Sequence, residues 1–339
     1  MSRVEDVFKT AVEFAGLKKS GLVFCVVDAA GTKHEGAAGG TVGNLVHWGS
    51  CAKALAATVC AALVSKKELQ WESNLASLGV ATESKFSSFT VAGLLRHQHG
   101  VVEDLPEEEI VELGRQTAAL SPRDARALFV AALHRHEVVD AWTYSNAGYV
   151  LLSHVLESHF DTTWERLVQT LVCEPLELKS LSFGMPSGLT GHDENDEPVV
   201  GFQDHAFQAA PFAVHSTMAD WAVFALPFQK LLRGESGAFK VLGIDDETAA
   251  FLIEPSVGTK KLRGLELPPG YAAGWRTRWC DDDETATPKC LWHLGTNLVT
   301  QAAIVVTPEM LIVVGSNSGS MMFRLAIREA CESLMFAAK

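Results

Sequence analysis

The apolar, strand-like segments of this chain lie at its two ends, with a long helix-compatible stretch between them. Leu22-Val23-Phe24-Cys25-Val26-Val27 is a short β-rich run, a turn begins at Gly31, and a second strand is expected over residues 34–39. Near the other end, residues 271–280 and 290–293 read as strands, and residues 301–306 and 311–314 as a hairpin around Thr307-Pro308-Glu309. Between them, residues 50–64, 91–96, 121–135, 147–159, 162–172 and 217–232 carry helical patterns. Ser121-Pro122 supplies an N-cap followed by a proline at the first helical position. Both termini are amphipathic. Val4, Val7, Phe8, Ala11 and Ala15 recur at helical spacing until Gly16, and Phe323, Ile327, Ala330 and Leu334 do so after a capping Ser320.

Strands at both ends can share one antiparallel sheet covered by the terminal helices, which is an α+β arrangement with an inserted, mostly helical lobe. The expected organisation is a single unit over residues 1–339. Its sheet-bearing lobe comprises residues 1–60 and 240–339, and its helical lobe residues 61–239. Functional groups are expected where the sheet meets the helical lobe. There is no internal repeat and no low-complexity tract.

The net charge of −13 argues against a nucleic-acid partner, because few cations are on hand to replace the counterions of a phosphate backbone. No stretch approaches the ~20 apolar residues of a membrane span. Glu5, Asp6 and Glu13 stand where a leader peptide avoids acids, so a cytoplasmic location is expected. Seven cysteines without a CxxC pair read as buried thiols in a reducing compartment.

Ser50-Cys51-Ala52-Lys53 is the one Ser-x-x-Lys of the chain. At helical spacing the amine lies on the same face as the hydroxyl, near a helix N-terminus that favours developing negative charge. Partial burial there would lower the ammonium and let Lys53 act as a base. Cys51 has no base at a recognisable spacing. Tyr144-Ser145-Asn146 adds a phenol that, beside a lysine, is expected to lose its proton more easily, and an amide able to hold Lys53. His293-Leu294-Gly295 adds a histidine on a strand, able to reach the phenol or a substrate, although His34-Glu35-Gly36 and His47-Trp48-Gly49 share the same spacing. His97-x-His99, His134-x-His136 and the acidic turn at 193–197 are expected to be structural or solvated; no metal and no cofactor is expected.

The order of these motifs resembles the serine β-lactamase-like superfamily, particularly its class C-like branch of esterases, transesterases and D-amino-acid peptidases. Tyr144 follows Ser50 by 94 residues and His293 follows Tyr144 by 149, which suits that family. Leu94-Leu95-Arg96-His97-Gln98-His99-Gly100, the segment from Trp142 to Leu152, Glu174-Pro175-Leu176 and Ser216-Thr217-Met218-Ala219-Asp220 extend the likeness over the whole chain. The resemblance implies Ser50 as nucleophile, Lys53 and Tyr144 as shared base and acid, and Asn146 as an orienting group. It also implies His293 in place of the lysine of penicillin-recognising members, and an oxyanion hole made by the N–H groups of Ser50 and Thr296. Gly295 and Thr296 on the strand and Phe212 near the pocket are the expected substrate contacts.

Three departures stand out: His99 where the family has serine, Pro211-Phe212-Ala213 where it has a small segment, and Gly295-Thr296-Asn297 where it has Gly-Gly. The expected activity is hydrolysis of a small ester, amide or lactam through an acyl-enzyme on Ser50. The alternatives are a cytoplasmic acyltransferase or transesterase of a biosynthetic pathway, and a catalytically inert scaffold or binding relative.

Overall fold

A computed structural model describes residues 3–138, 142–256, 261–262, 265–266, 270–277 and 289–337. The chain opens with α1 (Arg3–Ala15), β1 (Gly21–Val27), β2 (Lys33–Gly39) and the short β3 (Val46–His47), then a 3-10 turn over Gly49–Ala52 and α2 (Lys53–Ser65). The central stretch carries α3 (Val91–Leu95), α4 (Glu107–Thr117), α5 (Pro122–Leu133), α6 (Asn146–His159), α7 (Trp164–Val168) and α8 (Glu174–Leu176). It continues through β4 (Ser182–Phe183), β5 (Gly191–His192), β6 (Pro198–Val199), β7 (Val214–Ser216), α9 (Met218–Leu232) and α10 (Asp246–Ile253). Last come β8 (Lys261–Leu262), β9 (Leu265–Glu266), β10 (Leu291–Thr296), β11 (Gln301–Val306), β12 (Leu311–Ser316) and α11 (Met321–Ala337).

The two ends of the chain do share one sheet. Its order is β10-β11-β12-β1-β2, antiparallel throughout, with Leu22 opposite Ser316 and Val27 opposite Leu311. β11 and β12 are buried along their whole length, as central strands covered on both faces must be. β2 is one of the two edges, and it exposes Lys33 and Glu35, charged residues that discourage further pairing.

Side-chain alternation sorts the strands onto two cores. Phe24, Val26, Ala303, Val305, Ile312 and Val314 face Phe8 of α1 and Phe323 and Ile327 of α11. Cys25, Val27, Ile304, Val306, Leu311 and Val313 face the other way and join a larger core with α2, α6 and α9. α2 is buried from Lys53 to Leu63 because it lies inside that core, which is why its sequence is apolar on every side.

Several elements depart from their expected bounds. Ser50 sits in the 3-10 turn, not in the α-helix, and α2 starts at Lys53. The cause is Gly49, whose φ of +54° and close packing against Gly295 and Thr296 leave no room for a regular first turn. Residues 271–277 form isolated bridges at Tyr271 and Arg276 in place of a continuous strand. Gly274, at φ +76°, lies against the backbone of Lys53, where a Cβ would meet the carbonyl oxygen at 2.5 Å. Residues 278–280 of the expected strand lie outside the described residues. The helix expected over residues 162–172 is α7 followed by a π-helical turn over Gln169–Cys173. Among the described residues, no helix is long and apolar enough to cross a membrane.

Candidate active site

β3 pairs with β7, and the Trp48 N–H donates to the Val214 carbonyl, so the turn that follows is fixed from behind. The Trp48 ring, stacked 5.0 Å from Trp221 and donating through Nε1 to Ser216 Oγ, anchors it further. From this base Ser50 opens onto a cavity of ≈ 630 Å³ that Tyr144, Asn146, Phe212, His293 and Thr296 also line.

Lys53 lies behind Ser50, fully buried. Its Nζ donates to Asn146 Oδ1 at 2.7 Å and to the Pro211 carbonyl at 3.0 Å, and stands 3.3 Å from Ser50 Oγ. Burial lowers its ammonium from 10.5 to about 7, against the opposing pull of Asp104. Ser145 caps α6 and places Asn146 in its first turn, while Asn146 Nδ2 donates to Asp104 Oδ2 at 3.3 Å. Burial in turn raises the Asp104 carboxyl to about 6.

Tyr144 differs from expectation. Lys53 Nζ lies 4.7 Å from its ring centroid, yet burial pushes the phenol well above its ordinary value. The Ser50 hydroxyl and the Arg276 charge pull it down and do not overcome that cost. At neutral pH the phenol therefore keeps its proton and Lys53 is the group able to accept one. His293 also differs. Its Nε2 faces the Tyr271 hydroxyl at 3.5 Å, not Tyr144, whose ring centroid is 6.1 Å from the imidazole. Burial holds the imidazole well below its ordinary value, so it is neutral.

The end of β10 runs against the nucleophile turn. A Cβ on Gly295 would sit 2.2 Å from the Trp48 carbonyl and 2.9 Å from Ser50 N; one on Gly49 would sit 2.4 Å from Thr296 N. Trp292 exchanges hydrogen bonds with Arg276 on the side of β10 away from β11. By the strand's period of two, the N–H of Thr296 points off that same free edge, toward Ser50. Ser50 N, one residue into a 3-10 turn, has no backbone acceptor among the described residues. Two N–H groups thus converge beside one hydroxyl.

Several further side chains border the site, most of them without a sequence motif of their own. Arg276 and Arg324 both line the cavity, and neither has a carboxylate partner among the described residues. Arg276 lies 5.8 Å from the Tyr144 ring centroid and 5.4 Å from that of Trp292. Arg324 was detectable as a cation in the first turn of α11, where the helix dipole favours acids. Tyr271, Tyr149 and Tyr144 surround His97, whose buried Nδ1 accepts from Ser145 N at 3.1 Å. His99 Nε2 accepts from Thr90 N at 2.7 Å. Burial pushes the Cys51 thiol well above its ordinary range, so it is not a nucleophile at neutral pH.

The family model described as Beta-lactamase matches residues 8–323. No curated protein matches the sequence. Among solved structures, that of SurE superposes with a TM-score of 0.75 at 19% identity, covering 99% of this chain and 75% of that one. A class C β-lactamase from Rhodobacter sphaeroides gives 0.73 at 18% identity over 98% of this chain and 99% of its own. The octameric penicillin-binding protein homologue from Pyrococcus abyssi gives 0.73 at 15% identity, with 98% and 77% covered. At such identities these likenesses speak to the fold.

Proposed function

Because the chain belongs to the β-lactamase family, whose fold is that of serine acyl-transferring hydrolases, we propose that Ser50 is its nucleophile and that it cleaves a small ester, amide or lactam through an acyl-enzyme. The observation that carries this is the pairing of Ser50 Oγ with a lysine 3.3 Å away whose ammonium is lowered to about 7.

Neutral Lys53 takes the Ser50 proton as Oγ attacks the carbonyl carbon. The N–H groups of Ser50 and Thr296 hold the oxyanion as charge develops. Tyr144, still protonated, gives its proton to the leaving group and recovers one from Lys53. Water then repeats the sequence on the acyl-enzyme in the opposite sense, regenerating Ser50. Asn146 fixes Lys53 throughout. Gly295, expected to meet the substrate, instead lets β10 pack against the nucleophile turn, and Phe212 forms part of the pocket wall. Arg276 and Arg324 share the cavity lining with Glu103, Asp104, Glu107 and Asp204, and with no carboxylate partner among the described residues they are the cations left to meet an anionic group on the substrate.

The test is intact mass after incubation with p-nitrophenyl esters and a panel of acyl donors. Wild type should gain one acyl group, and Ser50→Ala none; full turnover by Ser50→Ala would refute the assignment. Transfer differs from hydrolysis only in the acceptor. An added alcohol or amine that accelerates turnover and appears acylated would identify an acyltransferase; free acid alone would identify a hydrolase.

A further inference from the structure

In the wall of the cavity, which Asp204 and Asn297 help to line, runs a buried polar chain that the mechanism above does not use. His47 Nδ1 accepts from Gly49 N at 3.1 Å, which leaves Nε2 as the ring nitrogen that carries a proton. His47 Nε2 stands 3.1 Å from Asp204 Oδ2, with the two side chains 0% and 1% exposed. The approach is oblique for a hydrogen bond, and among the described residues neither atom has another partner. The other carboxylate oxygen, Oδ1, accepts from Asn297 Nδ2 at 3.1 Å. Asn297 Oδ1 is itself filled by Thr300 N at 3.0 Å and Thr300 Oγ1 at 2.6 Å. Every donor and acceptor in the chain has a fixed direction, and only an acceptor-only group fits its centre.

The ends of this chain matter. His47 holds the N–H of the residue before Ser50, and Asn297 is the residue after Thr296. We propose that Asp204 is a positioning residue that fixes the spacing between the Ser50 and Thr296 N–H groups. This rests on the assignment of Ser50 as nucleophile. Burying a carboxylate costs stability that an apolar side chain of similar size would not, so its presence here fits a geometric role. Burial alone would raise the Asp204 carboxyl, but the His47 ring and the Asn297 amide outweigh it and keep it ionised.

The test uses Asp204→Asn, which preserves shape. Whichever way the new amide turns, it sets a donor against either His47 Nε2–H or Asn297 Nδ2–H. Asp204 borders the cavity but its side chain is only 1% exposed, so KM for a p-nitrophenyl ester should hold within about twofold while kcat falls about 10- to 100-fold. Phenylboronic acid, whose tetrahedral adduct places an oxygen between the two N–H groups, should bind more weakly by the same factor. A merely structural role would lower the melting temperature without this split. Should Asp204→Asn not fold, Asn297→Ala must show the same loss in kcat and in boronate affinity. Wild-type kcat and boronate affinity in a folded variant, with Ser50→Ala inactive, would overturn the positioning role alone. Turnover by Ser50→Ala would overturn the nucleophile and this inference together.

Discussion

Replacing Lys53 by methionine should make the stability of this protein less dependent on pH above neutrality. The lysine titrates at about 7 when folded and at its ordinary 10.5 when unfolded. That gap corresponds to ~5 kcal/mol of disfavoured burial of the ammonium. Between the two values the unfolded chain binds more protons than the folded one. Stability therefore rises with pH across this window, by ~1.4 kcal/mol per pH unit, and the slope from this group vanishes below about 7. Lys53→Met removes the ammonium but strips Asn146 Oδ1 and the Pro211 carbonyl of their donor. Each orphaned acceptor costs ~1–3 kcal/mol, so the two effects largely offset near pH 7. Their pH dependence separates them, because the hydrogen-bond loss does not titrate in this range.

Urea unfolding of both proteins at pH 7.5, 8.5 and 9.5 measures the difference. Wild type should gain ~2–3 kcal/mol on the variant over these two pH units. The buried thiols titrate alike in both proteins and cancel. In parallel, kcat/KM of wild type should rise with pH through about 7 as Lys53 loses its proton. A stability difference that stays flat from pH 7.5 to 9.5 would refute the lowered lysine. An ascending limb near 7 that survived in Lys53→Met would assign it to another group.

Gly295→Ala should abolish esterase activity, since its Cβ would meet the Trp48 carbonyl at 2.2 Å and push β10 off the nucleophile turn; steady-state kinetics with a melting curve checks this. Arg276→Gln and Arg324→Gln should each raise KM for acyl donors bearing a carboxylate by about tenfold, and leave neutral esters within twofold, as paired kinetics would reveal. Arg126→Met should cost ~3–5 kcal/mol, because Glu157 and Glu165 close around the guanidinium at 2.5 and 2.8 Å and Glu157 would be left as a buried, unpaired charge. At the usual entropy per residue that is a fall of roughly 4–7 °C in melting temperature by calorimetry.

The sheet was legible because its strands are contiguous apolar runs, so pairing β1 with the C-terminal hairpin required only that they bury a common face. Ser50 and Lys53 were legible from spacing on one face, and Tyr144 with Asn146 from a motif beside a helix start. Asp204, Arg276 and Tyr271 were not, since reading residues 271–280 as a strand does not say what its side chains meet, and tertiary packing alone brings Asp204 and Arg276 to the cavity and Tyr271 against His293. His47 was visible only as a second match to the His-x-Gly spacing, and its partner lies far along the chain. α4 was missed because it exposes most of its surface and buries just Leu113 and Thr117 among its residues. β3, β4 and β7 span two or three residues each, too few to show an alternation.

The junction between the Ser50 turn and β10 joins segments about 245 residues apart in sequence. Contacts of such separation make folding slow, since loop closure is required before they return any stabilisation. A ribosome-bound chain that has emerged only through α9 already carries Ser50, Lys53 and Tyr144. It lacks Thr296, so it has a candidate nucleophile and base without the strand that supplies the second N–H group. Synthesis itself thus orders the acquisition of chemistry. The candidate hydroxyl and its base come first, and the second N–H group arrives only with β10.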